Sequence, residues 1–147
     1  MRTSRSAYRG FTLVELMVTI VIGAILAMIA IPSYNNQIRK SRRTEARNAV
    51  LDAAAREERF YSTNNKYSQA AADLGYAALP QVVGGGYYQV DAKCTPAAPA
   101  CTGFTITAAP QGTQVKDTAC ATFQVDQTGK QSVTGTTAAD ATAPCWN

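Results

Sequence analysis

The run FTLVELMVTIVIGAILAMIAI, Phe11 to Ile31, constrains this chain more than any other stretch. As an α-helix its 21 residues reach about 32 Å, which matches a bilayer hydrocarbon core of about 30 Å. One charged residue, Glu15, interrupts it; a short segment carrying Arg2, Arg5 and Arg9 precedes it and Pro32 follows. Three arrangements compete. A secretory signal peptide has a small-x-small cleavage site after its apolar stretch, but here Pro32, Ser33 and Tyr34 follow. A plain membrane anchor explains the length but not the carboxylate. In the third arrangement the leader is cut before the apolar stretch, and the greasy helix stays on the mature chain.

A carboxylate within a membrane helix costs on the order of 2–3 kcal/mol even on lenient insertion scales, so it needs a partner. Glu15 lies one helical turn beyond Phe11. A cut between Gly10 and Phe11 would give Phe11 a positive amine, able to pair with Glu15 of its own chain or of a neighbour. The alternative is a Glu close enough to the membrane surface to snorkel into water. The residues alone leave both open.

Gly10-Phe11-Thr12-Leu13-Val14-Glu15-Leu16, behind a basic leader and ahead of an apolar helix with Pro32, resembles the class III signal of type IV pilins. The resemblance implies that a membrane prepilin peptidase cuts after Gly10, that the Phe11 amine is N-methylated, and that Glu15 guides assembly. It implies a single-pass inner-membrane precursor with its C-terminal part in the periplasm, later extracted into an extracellular pilus. The implied partners are other major and minor pilins, the peptidase, the inner-membrane assembly machinery and, before assembly, the lipid bilayer; no cofactor is implied. Counting positive charges points the other way, since three Arg precede the helix and Arg39, Lys40, Arg42, Arg43 and Arg47 follow it. The cysteines and the resemblance outweigh that count.

Cys94, Cys101, Cys120 and Cys145 all lie in the last third. An even number fits two disulfides in an oxidising compartment, with three pairings open. Without a C-x-x-C or any His, a zinc site is disfavoured. Cys94 with Cys101 and Cys120 with Cys145 is the favoured pairing, because each bridge then closes a local loop, contributing roughly 2.5 and 3.5 kcal/mol in the chain-entropy picture. Such bridges suit a part of the chain rich in Ala, Thr, Gly and Gln that buries little large apolar surface. "TACATFQVDQTGKQSVTG" followed by "APCWN", and Arg43 to Asn64, resemble PilE-type minor pilins. There Cys120 and Cys145 would bracket a C-terminal loop, with Trp146 packing beside the second.

Pro32 removes a backbone donor and is expected to kink the helix. Beyond it Ile38, Ala46, Ala49, Ala53 and Phe60 share one face, with Val50 at its edge. Asp52 and Arg56 stand four apart in the order that favours an ion pair. Arg39 to Arg47 read either as a solvated face or as a surface for neighbouring subunits or anionic headgroups. The helix is expected to end near Tyr61 to Asn65. Tyr67 to Gly86 reads as a loop, with Gly84-Gly85-Gly86 as a flexible hinge that lacks the phosphate-loop pattern. Four strands are expected at Tyr87–Ala92, Cys101–Ala108, Ala121–Asp126 and Lys130–Thr134, with a hairpin at Thr128-Gly129. Together these predict an α+β pilin fold: a long N-terminal helix with a four-stranded antiparallel sheet on its C-terminal half. The segments are 1–10 (leader), 11–31 (membrane or filament core), 32–62 (amphipathic helix) and 63–147 (loop, sheet and disulfide-bonded end).

The net charge of +4 owes much to the leader: without its three Arg, eleven Lys and Arg face ten Asp and Glu. From Phe60 onward four Lys meet five Asp, so a nucleic-acid surface there is weakly supported. The chain lacks His, G-x-S-x-G and any carboxylate pair spaced for acid–base work, so no enzyme is expected. The leading expectation is a minor pilin serving pilus assembly, and through it twitching, adhesion or DNA uptake. The alternatives are a receptor-type pilin for DNA or a surface, and a type II secretion pseudopilin. Cys120 and Cys145 argue against the last, which commonly uses bound calcium where pilins use a disulfide.

Overall fold

A computed structural model describes residues 10–134 and 145–146. Of the leader, residues 1–10, only Gly10 is among the described residues. Helix α1 (Leu13–Asn64) is followed by β1 (Gln81–Val83), β2 (Tyr88–Thr95), β3 (Gly103–Pro110), β4 (Thr122–Asp126) and β5 (Gln131–Thr134). The chain divides into two compact units, Met1–Gln37 and Ile38–Asn147.

In the first unit α1 continues through Pro32. None of its most apolar stretch is buried within the chain. Fourteen large apolar side chains from Phe11 to Ile31 are exposed, from Leu16 and Val18 at 52% to Phe11 and Met28 at 76%. At about 1.5 kcal/mol or more for each, leaving them in water forgoes on the order of 20 kcal/mol, more than a small domain's whole stability. This segment requires lipid or other helices around it.

In the second unit the strands form one antiparallel sheet in the order β1-β2-β3-β4-β5. Period-two alternation turns Tyr88, Val90 and Ala92 of β2, Phe104, Ile106 and Ala108 of β3, and Phe123 and Val125 of β4 inward. They meet Ala46, Val50 and Ala53 of α1 in one core. The small Ala side chains let the sheet approach the helix closely. Edge-to-face rings add to the packing, Tyr67 on Phe104 at 4.9 Å and Phe123 on Trp146 at 5.5 Å.

Three sequence expectations need correction. The sheet has five strands, not four, because Gln81–Val83 pairs with β2 through Gln81↔Val90, Val82↔Gln89 and Val83↔Tyr88. The glycines thought to be a flexible hinge make the tight 3-10 turn of that hairpin, with φ of 61°, 63° and 94° at Gly84, Gly85 and Gly86. All three lie in the left-handed region that only glycine enters without strain. Val50 is fully buried at the centre of the helix face rather than at its edge, and Glu57 is buried on the same face.

Candidate assembly site and its supporting domain

The start of α1 positions the predicted processing residues. Thr12 caps the helix: its Oγ1 accepts the Glu15 backbone N–H at 3.2 Å, and its carbonyl accepts the Leu16 N–H at 3.1 Å. Thr12-x-x-Glu15 therefore has the spacing of a capping box, with the carboxylate at the third helical position. Anionic groups are favoured there, because the first-turn N–H groups give that end a partial positive charge. This local reason for an acid at position 15 was readable from the spacing and adds to the pairing argument. Phe11 and Glu15 are exposed, and a Cβ placed on Gly10 would meet nothing within 4 Å, so the Gly10–Phe11 junction is accessible within this chain. Pro32 lies inside α1 and is exposed.

Polar groups in the second unit fix the sheet to the helix. Arg43 donates two hydrogen bonds to Asp117, Nε to Oδ2 and Nη2 to Oδ1, each 2.7 Å, with the Asp117 side chain only 3% exposed. This bidentate pair overturns the reading of Arg39 to Arg47 as merely solvated. Its hydrogen bonds to Asp117 raise the Arg43 pKa above its ordinary value. Gln114, fully buried, donates to Asp117 Oδ2 and the Tyr88 hydroxyl, both at 3.1 Å. The 3-10 turn Gly112–Lys116 is thus held by residues about seventy positions upstream. On the outer face Asp52 pairs with Arg56 at 2.8 Å, and Arg56 Nη1 also donates to the Leu74 carbonyl at 3.1 Å.

Glu57 was missed in the sequence. One carboxylate oxygen accepts the Ser68 N–H at 3.1 Å; the other is buried without a hydrogen-bond partner among the described residues. Burial, offset in part by the Ser68 bond and reinforced by Glu58 and Asp73, pushes its pKa up to about 7. The only signal was its position four residues after Ala53 on the inward stripe.

The four cysteines form two bridges. Cys94–Cys101 joins β2 to the segment just before β3 with Cα atoms 4.9 Å apart, and Cys120–Cys145 ties Cys145 to the segment before β4 with Cα atoms 5.7 Å apart. Trp146, after the second bridge, donates its indole N–H to the Ser132 carbonyl at 3.1 Å while its ring packs on Phe123.

Comparisons with known proteins place this geometry. Residues 5–31 match the prokaryotic N-terminal methylation motif, and residues 32–124 match a family described as "Type IV minor pilin ComP, DNA uptake sequence receptor". The type IV major pilin protein PilA of Myxococcus xanthus (strain DK1622) is 38% identical over 79 residues, 52% of this chain and 36% of that protein. The type IV major pilin protein PilE1 of Neisseria gonorrhoeae is 30% identical over 54% of this chain and 48% of its own length. Prepilin peptidase-dependent protein D of Escherichia coli (strain K12) is 60% identical over 37 residues, a quarter of each chain. The chain thus matches between a quarter and a half of these relatives' lengths. A solved type IV pilin from Shewanella oneidensis gives a TM-score of 0.47 and 25% identity, covering 63% of this chain and 89% of that one. On the match over residues 32–124, the chain belongs to the type IV minor pilin ComP family, and so to the type IV pilins.

Proposed function

We propose that this chain is a minor structural subunit of a type IV pilus and acts in pilus assembly. The observation that carries the reading is the wholly uncovered apolar face of α1 from Phe11 to Ile31. Lipid covers it before assembly, in the inner membrane, with the second unit in the periplasm; the helices of other pilins cover it in the filament. Prepilin peptidase cuts between Gly10 and Phe11 and Phe11 is N-methylated. The new amine then pairs with Glu15, and the intermolecular pair draws a subunit onto the filament base. An unmatched carboxylate in hydrocarbon supplies the drive. Pro32 gives the helix a point at which it can bend as the inner-membrane machinery extracts it. The disulfide-bonded sheet unit faces outward. The Glu15→Ala variant should remain folded and membrane-bound but be scarce in sheared pili; incorporation at the wild-type level would refute the pairing.

The description of the matched family favours a second reading, that of a DNA receptor within the pilus. The cations without an ion pair among the described residues are Arg39, Lys40, Arg42, Arg47 and Arg59 on α1, and Lys66, Lys93, Lys116 and Lys130 beyond it. Retardation of duplex DNA by the full chain in detergent, weakening steeply with salt, would support it; absence of retardation at low salt would dismiss it.

A further inference from the structure

Arg39 and Arg42 on α1 meet the 3-10 turn Gly112–Lys116, where Gln114 Nε2 donates to the Arg39 carbonyl at 3.4 Å and Arg42 Nη1 donates to Thr113 Oγ1 at 3.2 Å; the Arg42 guanidinium also lies over the Tyr87 ring, 3.3 Å from its centroid, and exposed Lys40 follows Arg39 on the helix. The fold thereby adds Lys116 to three cations of the helix, from 74 or more residues away, and removes Arg43, which Asp117 neutralises. No Asp or Glu occurs between Glu15 and Glu45, or between Pro110 and Lys116. The next carboxylate on the helix, Glu45, rests against Gly84 at the β1–β2 turn. Within the turn Gly112–Lys116, Val115 stands 58% exposed, beside exposed Lys116. An exposed apolar residue beside a lysine, on a turn bonded to a basic stretch of helix, matches the chemistry of a bilayer surface, with phosphates outside and acyl chains beneath.

We propose that Arg39, Lys40, Arg42 and Lys116 bind the anionic phospholipid headgroups of the membrane that holds the anchor, with exposed Val115 beside Lys116 meeting the same surface, an inference that rests on the membrane-anchored reading above. Arg39 follows Ile31 by eight residues, about 12 Å of helix. Long Arg and Lys side chains reach back over that distance towards the headgroups, which begin where the hydrocarbon ends. The same contact accounts for the basic cluster that upsets the positive-inside count: these cations sit on the surface of the leaflet through which the chain emerges. It would hold the turn Gly112–Lys116 on the membrane until extraction pulls it free. Each cation near an anionic surface contributes about a fivefold preference, so the four together give a preference of several hundredfold for anionic over neutral lipid.

The test uses the full chain reconstituted into vesicles of phosphatidylcholine alone, or with phosphatidylglycerol added, reading flotation and amide hydrogen exchange at Gly112–Lys116. Flotation with both vesicles is expected, with exchange slowed at least tenfold by phosphatidylglycerol. That slowing should be lost in 0.5 M salt (about a 4 Å screening length) and in a K40E/K116E variant, whose two sites are exposed and outside the core. Flotation with equal exchange in both lipids, or slowing that survives K40E/K116E, overturns the headgroup contact while leaving the anchor intact. Failure to float with either vesicle overturns the anchor and this contact with it. If short duplex DNA slows exchange on neutral vesicles and phosphatidylglycerol does not, these cations form a nucleic-acid contact and the proposal is wrong.

Discussion

Glu57 makes stability depend on pH in a direction opposite to the usual carboxylate. In the folded chain burial holds its proton up to about pH 7, against an ordinary value of 4.5. Between those values the folded state binds more protons than the unfolded one, so stability must fall as pH rises from 4.5 to 7 and level off above. A separation of about 2.5 pH units corresponds to at most about 3 kcal/mol, a large part of the stability of a domain this size. Glu58 and Asp73 face the same site and add to the effect, because their negative charges oppose ionisation of Glu57. The tyrosines Tyr67, Tyr76 and Tyr88, raised chiefly by burial, titrate above 10 and stay silent in this window. Asp126, lowered by its bond from Thr128, acts only below its ordinary 3.8. Urea unfolding of the full chain in detergent with disulfides intact, followed by the single Trp146, measures the profile. The wild type should lose stability from pH 5 to pH 8. Glu57→Gln, which keeps an acceptor for the Ser68 N–H, should give a flat profile and exceed the wild type at pH 8. A wild-type profile that is flat or rises over this range would refute the assignment.

Other outcomes follow from the packing. Asp117→Asn leaves the Arg43 guanidinium, 17% exposed, without its counter-charge and should cost about 3 kcal/mol in the same urea assay; a loss below 0.5 kcal/mol (roughly the scale of an exposed pair) would mean the pair is not held as described. Val50→Ala opens a cavity between α1 and the sheet at a fully buried position and should cost about 2 kcal/mol by denaturation. Replacing Cys120 and Cys145 together with Ser should lower stability by about 3 kcal/mol and red-shift Trp146 fluorescence, because the residue after the bridge loses its anchor against Phe123.

The main architecture was legible where local periodicity is strong. Tyr88 and Val90, Phe104 and Ile106, and Phe123 and Val125 alternate cleanly, and each pair lies on the buried face of its strand. β1 was not legible, since three residues between Pro80 and three glycines carry too little pattern to separate a strand from a loop. Glu57 lay on the inward stripe by its period, but a carboxylate is ordinarily assigned to solvent. Nothing local marks Arg43 and Asp117 as partners; 74 residues separate them, and only the closed sheet brings them together. Thr12-x-x-Glu15 has the spacing of a helix start, but a carboxylate inside a greasy run stands out first as a membrane liability.

The proposed function requires that the greasy helix be kept while the basic leader is lost, so the most direct measurement is intact and N-terminal mass spectrometry of the chain recovered from sheared pili. The first residue should be Phe11 carrying one methyl group on its amine, in a species holding two disulfides. A chain from the filament that begins at Met1, or at any residue after Ile31, would contradict it.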